Sequence, residues 1–205
     1  MNHGQIVLLN GEPRSGKTSI VREIQERFAG VWMNLGVDHY MAMTPARYLP
    51  GIGLRPGGER PDLEPSVAAM YRALYGSIAA HSREGLNVVA DVGHHDGYSV
   101  PREILPAAAR LLRGLPVLFV GVRCPLEEVR RRRLATWNLT ASDMAAREPA
   151  LGRWHEEVHR SHVYDLEVDT ARMSSPECAD AIQRCLSGGL PRPTVFERIA
   201  SRDPR

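Results

Sequence analysis

Lysine is almost absent from this 205-residue sequence: 25 of its 26 basic residues are arginine, and Lys17 is the single lysine. A codon bias towards arginine could leave one lysine by accident, so its position has to decide whether it matters. Charge of one sign is also lacking, because 26 basic residues face 24 acidic ones and the net charge is +2. This balance argues against a bulk polyanion-binding surface, and we expect no nucleic-acid partner.

Cysteines and long apolar runs are equally scarce. Cys124, Cys178 and Cys185 are an odd number at no metal-ligand spacing, and we expect all three to be reduced. No apolar run approaches the roughly 20 residues of a membrane span. The first residues lead directly into a strand-like segment without a basic leader, so a cytoplasmic protein with no membrane partner is expected. The 43% hydrophobic content is that of a globular protein of one domain, or at most two small ones.

Glycine and proline divide the chain into alternating strand and helix patterns. Strands are predicted at residues 5–10, 31–37, 86–92, 115–122 and 164–168. Helices are predicted at residues 16–28, 101–112 and about 176–186, with one more that Ser66 caps and Gly85 stops. Such alternation predicts an α/β fold of three layers around a central, mainly parallel sheet of about five strands.

Two segments interrupt the alternation. Residues 50–65 hold four prolines and four glycines and are predicted to form a loop after the second strand, where substrate specificity often resides. Residues 188–205 are predicted to be a C-terminal tail, although Val195, Phe196 and Ile199 could dock on the body. The main domain is accordingly expected at residues 1–187.

The strongest motif lies between the first predicted strand and the first predicted helix. The residues that fit the pattern G-x-x-x-x-G-K-[ST] are Gly11, Glu12, Pro13, Arg14, Ser15, Gly16, Lys17 and Thr18. In such a phosphate-binding loop (P-loop), backbone amides and the helix N-terminus surround phosphates, and the lysine reaches the β- and γ-phosphates. Thr18 can bind Mg²⁺ there. The motif predicts ATP and Mg²⁺ as cofactors. It also explains why the single lysine of the sequence stands at position 17.

Two aspartates follow predicted strands at the edge of the sheet where ligands bind in such folds. Asp38 follows the second strand and could accept a proton from a hydroxyl that attacks the γ-phosphate, which would make the protein a kinase. It could equally be a helix cap, and the pattern alone gives the two interpretations the same weight. Asp91 ends a hydrophobic run of Walker B form and is a candidate Mg²⁺ ligand.

Three further patterns carry competing interpretations. His94 and His95 could line a substrate cavity, but a solvated loop is the favoured interpretation. Residues 155–159 fit the zinc-protease pattern H-E-x-x-H with Glu156 as base, but a chance match is favoured because no third ligand beyond His162 or a distant acid is evident. The four arginines at 130–133 could contact nucleic acid, but a solvated helix face or a nucleotide lid is favoured.

Several motifs in order resemble the chloramphenicol phosphotransferase family of small P-loop kinases. They lie at residues 6–11, 15–18, 36–38, 117–124 and 164–170, and the likeness covers most of the first 185 residues. The resemblance implies transfer of phosphate from ATP to a hydroxyl of an antibiotic, with Asp38 as general base. It also places Asp91 at the family's acidic position after the third strand.

The sequence departs from the family in the lid and on the acceptor side. By spacing, Arg132 is the best match to a lid arginine and Arg133 the second, in a lid expected at about residues 130–153. Residues 41–63 and 94–98 match no acceptor segment, so a kinase of a nucleoside, sugar or nucleotide-sugar stays open. A nucleotide-dependent switch without catalysis is a further alternative. The expected partner is a small hydroxyl acceptor, and the oligomeric state, a homo-oligomer included, is left open.

Overall fold

A five-stranded sheet forms the centre of the molecule. The computed structural model describes the backbone of residues 2–137, 141–160 and 162–202, and the side chains of these residues except 137 and 141–148. The strands are β1 (Ile6–Asn10), β2 (Trp32–Asn34), β3 (Asn87–Val92), β4 (Val117–Arg123) and β5 (Leu166–Asp169). They pair in the order β2-β3-β1-β4-β5, and every pairing is parallel. The predicted α/β fold with a parallel sheet of about five strands is confirmed.

Helices cover both faces of the sheet. They are α1 (Lys17–Arg27), α2 (Val37–Met43), α3 (Glu64–Arg83), α4 (Ile104–Leu111), α5 (Leu126–Trp137), α6 (Ala141–Arg160), α7 (Ser175–Ser187) and α8 (Val195–Ser201). Alternate residues of β1 enter the two cores: Ile6 and Leu8 pack towards α3, α4 and α8, whereas Val7 and Leu9 pack towards α1 and α7. A strand buried on both faces has to be apolar throughout, which explains the continuous run in β1.

The second strand is shorter than the predicted residues 31–37. Its pairing ends at Asn34, whose side-chain Oδ1 accepts a hydrogen bond of 3.1 Å from the Gly36 amide. This local turn draws the chain out of the sheet, and α2 begins at Val37. Asp38 therefore lies in the first turn of a helix, not at the end of a strand.

The start of α3 also differs from the prediction. The helix begins at Glu64, with Pro65 in its first turn, so the predicted cap Ser66 lies inside it. Proline is well suited to this place because its missing N–H would have no partner in the first turn. The predicted stop is confirmed, since the helix ends before Gly85, which has φ +83°.

The C-terminal segment contains a helix that the sequence pattern did not predict. Thr194 caps α8 with its side chain and forms a reciprocal pair with Glu197. Val195 and Phe196 are buried in the core on the α3 and α4 side of the sheet. The Asp165 carboxylate accepts a hydrogen bond of 2.8 Å from the Val195 amide, which ties α8 to the start of β5.

The three cysteines are not joined by disulfide bonds. Cys124 and Cys178 are buried and Cys185 is half-buried, and all three are free thiols, as expected. Burial raises the pKa of Cys178 to about 11, which keeps this thiol protonated. Among the described residues, no helix combines the length and the apolar character needed to cross a membrane.

Candidate active site

The P-loop turns the chain from β1 into α1 with two residues in the left-handed region. Arg14 has φ +73° and Gly16 has φ +100°. Gly16 is the N-cap of α1 and offers no side chain to the first helical amides, which leaves them open to an anion. A Cβ on Gly11 would lie 2.7 Å from the Val122 carbonyl oxygen, so this position excludes larger residues. The predicted strand-to-helix context of the motif is confirmed.

The Lys17 ammonium group lies inside this turn. Its Nζ donates hydrogen bonds to the carbonyl oxygens of Gly11 at 2.6 Å and Glu12 at 2.8 Å. An ammonium group has three donors, so one remains for a phosphate oxygen. Burial lowers the pKa of Lys17, and the nearby carboxylates of Asp91, Glu12 and Asp38 oppose this shift. The structure thus surrounds the single lysine with acidic groups at the edge where phosphates would bind.

Thr18 and Asp91 lie together beside the loop. The Thr18 hydroxyl donates to Asp91 Oδ2 at 3.3 Å, and the Asp91 side chain is buried at the end of β3. Gly36 makes room for this carboxylate, because Asp91 Oδ1 lies 1.7 Å from where a Cβ on Gly36 would stand. A hydroxyl and a carboxylate oxygen are the ligand types that Mg²⁺ prefers. The two predicted metal ligands therefore fit the ion chemically.

Asp38 lies at the same edge of the sheet, in the first turn of α2. Its side chain is exposed, and its charge acts on the pKa of Lys17. Residue Gly36, not Asp38, is the N-cap of α2, so the helix-cap alternative for Asp38 does not hold in its simple form. An exposed carboxylate whose charge acts on Lys17 could serve as a general base at this edge of the sheet.

The two lid arginines both reach the P-loop from α5. Arg132 donates to the Thr170 carbonyl oxygen at 2.8 Å and to the Thr170 hydroxyl at 3.0 Å. The same hydroxyl donates to Ser15 O at 2.7 Å, so this arginine braces the loop. Arg133 is buried, approaches Pro13 O at 3.4 Å, and places its charge near Glu12 and Lys17. Both arginines predicted for the lid therefore contact the backbone of the P-loop from α5.

A buried carboxylate within the P-loop makes a contact that the sequence did not indicate. Glu12 is 1% exposed, and its Oε1 lies 2.6 Å from His155 Nδ1 on α6. Burial raises the pKa of Glu12, while the hydrogen bond and charge of His155 lower it. His155 is the first histidine of the H-E-x-x-H pattern, and the second, His159, bonds the Tyr164 hydroxyl. In the part of the chain that the structure describes, no three potential ligands gather around a metal position.

The histidine turn after β3 is buried, so the favoured solvated-loop interpretation is wrong. His94 and His95 are 2% and 3% exposed. The His94 amide donates to Asn10 Oδ1 at 2.7 Å, and the His95 ring contacts Tyr98 at 4.5 Å between centroids. Glu64 fixes the end of this segment, because its carboxylate accepts hydrogen bonds from Ser99 and Arg102. Residues 93–99 therefore form a buried and hydrogen-bonded turn beside the P-loop, and this turn is called the wall below.

Three consecutive residues of α6 hold this wall to its neighbours. A Cβ on Gly57 would lie 2.1 Å from Arg153 Nη1, so the arginine fills the space beside the proline-rich loop. Trp154 packs against the His95 ring edge-on, and His155 bonds Glu12. Successive helical residues point about 100° apart, which lets one turn contact three segments. These contacts join residues too far apart in sequence for any local pattern to predict them.

The fold and this edge of the sheet define a P-loop kinase architecture. It resembles the APS kinase CysC of Mycobacterium tuberculosis, solved with AMPPNP and APS, with a TM-score of 0.64 and 17% identity over 91% of this chain and 99% of that one. It also resembles shikimate kinase from Acinetobacter baumannii, with a TM-score of 0.53 and 14% identity over 93% of this chain and 97% of that one. At these identities the likeness concerns the fold alone.

The family follows from the sequence. The model of the chloramphenicol phosphotransferase-like proteins matches residues 4–187, and the chain belongs to this family. A proposed O-phosphotransferase of Mycobacterium tuberculosis strain H37Rv is 29% identical over 217 residues, which cover 98% of this chain and 90% of the relative. The resemblance inferred from the ordered motifs is confirmed.

Proposed function

We propose that the protein transfers the γ-phosphate of ATP to a hydroxyl group of a small molecule, with an antibiotic as the favoured acceptor. The observation that carries this proposal is the placement of Lys17 in an open P-loop with the Asp38 carboxylate close enough to act on its pKa. One group can hold the phosphates while the other activates the alcohol. The family membership supports the reaction class, and the O-phosphotransferase name of the relative agrees with it.

The proposed reaction is an in-line displacement at the γ-phosphorus. Asp38 accepts the proton of the acceptor hydroxyl as its oxygen forms the new P–O bond. The bond between the γ-phosphorus and the β,γ-bridging oxygen breaks, and ADP leaves with the electron pair. Lys17 and the backbone N–H groups that remain available in the P-loop and the first turn of α1 hold the β- and γ-phosphates through this change. The products are ADP and a phosphate ester of the acceptor.

Thr18 and Asp91 are the residues that would hold Mg²⁺. The ion would neutralise charge on the phosphate oxygens when bound. In this proposal Asp91 also keeps Thr18 in place through their hydrogen bond, so the hydroxyl faces the phosphate site.

The lid arginines have different proposed tasks. Arg132 is committed to Thr170 and Glu128, so its main task is to hold the P-loop against the end of β5. Arg133 is buried beside Pro13 and near the Lys17 charge, a place from which a guanidinium can stabilise the transferring phosphoryl group. We assign both to the catalytic apparatus, with Arg133 closer to the reacting phosphate.

The proposal is tested by ADP release. Wild-type protein with ATP and Mg²⁺ is screened against antibiotics with free hydroxyls, chloramphenicol first, and then against nucleosides and sugars, with each phosphorylated product confirmed by mass. Lys17→Ala should abolish acceptor-stimulated ADP release. If no hydroxyl compound stimulates ADP release, the kinase proposal fails and a nucleotide-dependent switch is favoured. A peptidase activity that survives Lys17→Ala would instead favour the zinc-protease alternative.

A further inference from the structure

Two buried nitrogen atoms, one on the histidine turn after β3 and one on α6, have no hydrogen-bond partner among the described residues. They are Nδ1 of His95 and Nε1 of Trp154, in side chains that are 3% and 9% exposed. Buried polar groups in native proteins are nearly always hydrogen-bonded, so two neighbouring exceptions call for a partner. Their rings meet edge-on with centroids 6.4 Å apart. One small group between them could satisfy both atoms.

The chemistry of the two atoms is opposite. His95 Nε2 lies 2.9 Å from the Leu54 carbonyl oxygen, which can only accept, so Nε2 carries the proton. Burial lowers the pKa of His95 against the effect of this bond, which keeps the ring neutral and Nδ1 an acceptor. The indole N–H of Trp154 is only a donor. A hydroxyl group can donate to the first atom and accept from the second.

The position of the pair relates it to the phosphate site. A Cβ on Gly93 would lie 3.6 Å from both Trp154 Cζ2 and Gly11 O, and Gly11 O accepts a hydrogen bond from Lys17. Trp154 and the Gly11 oxygen that bonds Lys17 therefore both border Gly93. On the other side, His95 touches Leu54 in the proline-rich segment that the sequence associates with substrate specificity.

We propose that His95 Nδ1 and the Trp154 indole N–H bind a second hydroxyl of the acceptor, one that is not phosphorylated, so that the acceptor is a diol or polyol. This inference rests on the proposed phosphotransfer, in which Asp38 takes the proton of the reacting hydroxyl. Two hydrogen bonds of about 2.9 Å that meet at one hydroxyl oxygen join nitrogen atoms about 5 Å apart, and the centroids of the two rings lie 6.4 Å apart. The Tyr98 ring stacks on His95 with centroids 4.5 Å apart and the Trp154 ring meets it edge-on, so the pair lies among aromatic rings.

Both nitrogens are closed off from solvent in this structure. An acceptor reaches them only when α6 moves away, as lids of kinases do when substrates enter. Arg153, Trp154 and His155 link α6 to three segments, so binding of the second hydroxyl would favour the closed position of this helix. The rival occupant is an ordered water molecule, which has the same hydrogen-bonding capacity as a hydroxyl.

The first test concerns the protonation of His95. Nitrogen NMR spectra of the histidine rings at pH 7.5, assigned with His95→Gln, should show an unprotonated Nδ1 and a protonated Nε2. The opposite tautomer would overturn the inference, because two donors cannot share one hydroxyl in the proposed way. The glutamine variant suits this purpose, since its amide nitrogen can replace Nε2 at Leu54 but leaves no acceptor at the Nδ1 position.

The second test measures binding with named probes. Wild-type protein with a non-hydrolysable ATP analogue is titrated with 1,3-propanediol and, as matched probe, 1-propanol, while the indole N–H signal of Trp154 is followed. The diol should shift this signal saturably and more strongly than 1-propanol, and His95→Gln should remove the difference. An unchanged Trp154 signal would mean that the space holds water only, and this result would overturn the inference.

Kinetics separate the inference from the proposed function. With an acceptor found by ADP release, His95→Gln and Trp154→Phe should each raise the KM for the acceptor at least about tenfold and leave the KM for ATP unchanged. The control Trp32→Phe removes an indole N–H that bonds Ala29 O, away from this wall. Diol binding that depends on His95 without any ADP release would contradict only the kinase proposal. Acceptor turnover that is unchanged in His95→Gln and in Trp154→Phe would contradict only this inference.

Discussion

The Asp91 carboxylate fills the space that a side chain on Gly36 would need, with Oδ1 only 1.7 Å from the Cβ position. Gly36 is not in the left-handed region, so its backbone conformation suits any residue. Glycine is required at this position because the Asp91 carboxylate leaves no space for a side chain. This relationship joins the start of α2, which carries Asp38, to the proposed metal ligand at the end of β3. A change at Gly36 should therefore disturb the base and the metal ligand together.

Gly36→Ala is predicted to lower turnover about 100-fold. The new methyl group must displace Asp91 or the first turn of α2, and a shift of about 1 Å at a reacting group can cost that much. The measurement is ADP release as a function of Mg²⁺ concentration, in which the variant should also need more Mg²⁺. Gly76→Ala on α3 is the control, because nothing lies within 4 Å of its Cβ position. Equal Mg²⁺ dependence in wild type and Gly36→Ala would contradict the proposed link.

Asp38→Asn is predicted to reduce kcat by about 10² to 10⁴ while the affinity for ATP changes little. A general base typically contributes that factor, and the amide cannot take the proton. Single-turnover rates and binding of a non-hydrolysable ATP analogue separate the two effects. The exposed Asp62, which pairs with Arg60, offers the control Asp62→Asn. A kcat for Asp38→Asn within a factor of two of wild type would remove this residue from the mechanism.

We predict from burial how strongly kcat depends on each arginine of residues 130–133: the buried Arg133 should matter more than the exposed Arg131. Arg133→Ala should lower kcat about 100-fold, because a donor near the transferring group is lost. Arg131→Ala should change kcat less than about twofold, since Arg131 is 72% exposed in its side chain and pairs only with Glu128 among the described contacts. Melting curves show whether Arg133→Ala is folded, and Arg133→Lys, which keeps the charge, should recover part of the rate. Equal losses at both positions would argue for a general charge effect.

The P-loop could be predicted from sequence because its chemistry is local. Eight consecutive residues determine the turn, the helix start and the place of Lys17, and no distant contact is needed to recognise them. The strand pattern was similarly sufficient for the sheet, because strands buried on both faces must be apolar. The predicted strand at residues 31–37 is too long for the same reason. Leu35 and Val37 continue the apolar pattern, but β2 ends at Asn34, and the chain leaves the sheet after the Leu35 amide has bonded Val89 O. The Gly36 amide then donates to the Asn34 side chain in a local turn.

The contacts of α6 with the P-loop and with the histidine turn could not be predicted from the sequence, because they join distant segments. Glu12 and His155 are 143 residues apart in sequence, and His95 meets Trp154 across 59. The residues next to His155 in sequence match a zinc motif, and those next to His95 are typical of a solvated turn. Only the position of α6 beside the P-loop shows that His155 contacts Glu12 and that its neighbour Trp154 contacts His95.

The last prediction concerns Glu64, which anchors the segment that carries His95. Burial would raise the pKa of this carboxyl, but hydrogen bonds from Ser99 and Arg102 outweigh it and lower the pKa below the usual 4.5. A depressed folded-state pKa means that the carboxylate stabilises the fold above about pH 4.5 and that this contribution is lost as the pH falls through the folded-state value. Stability from this group is therefore complete at neutral pH.

Glu64→Gln should lower the free energy of unfolding at pH 7 by about 2 kcal/mol or more, because the buried partner of Arg102 loses its charge. The difference from wild type should shrink as the pH is lowered below about 4.5, because Glu64 takes up a proton there in the unfolded chain and only at lower pH in the folded protein. Denaturant unfolding at pH 7, 5 and 3.5 measures both effects. Glu103→Gln, an exposed carboxylate on the same segment, should change the free energy by less than about 0.5 kcal/mol. A Glu64→Gln effect that is independent of pH would mean that shape, not charge, makes this anchor.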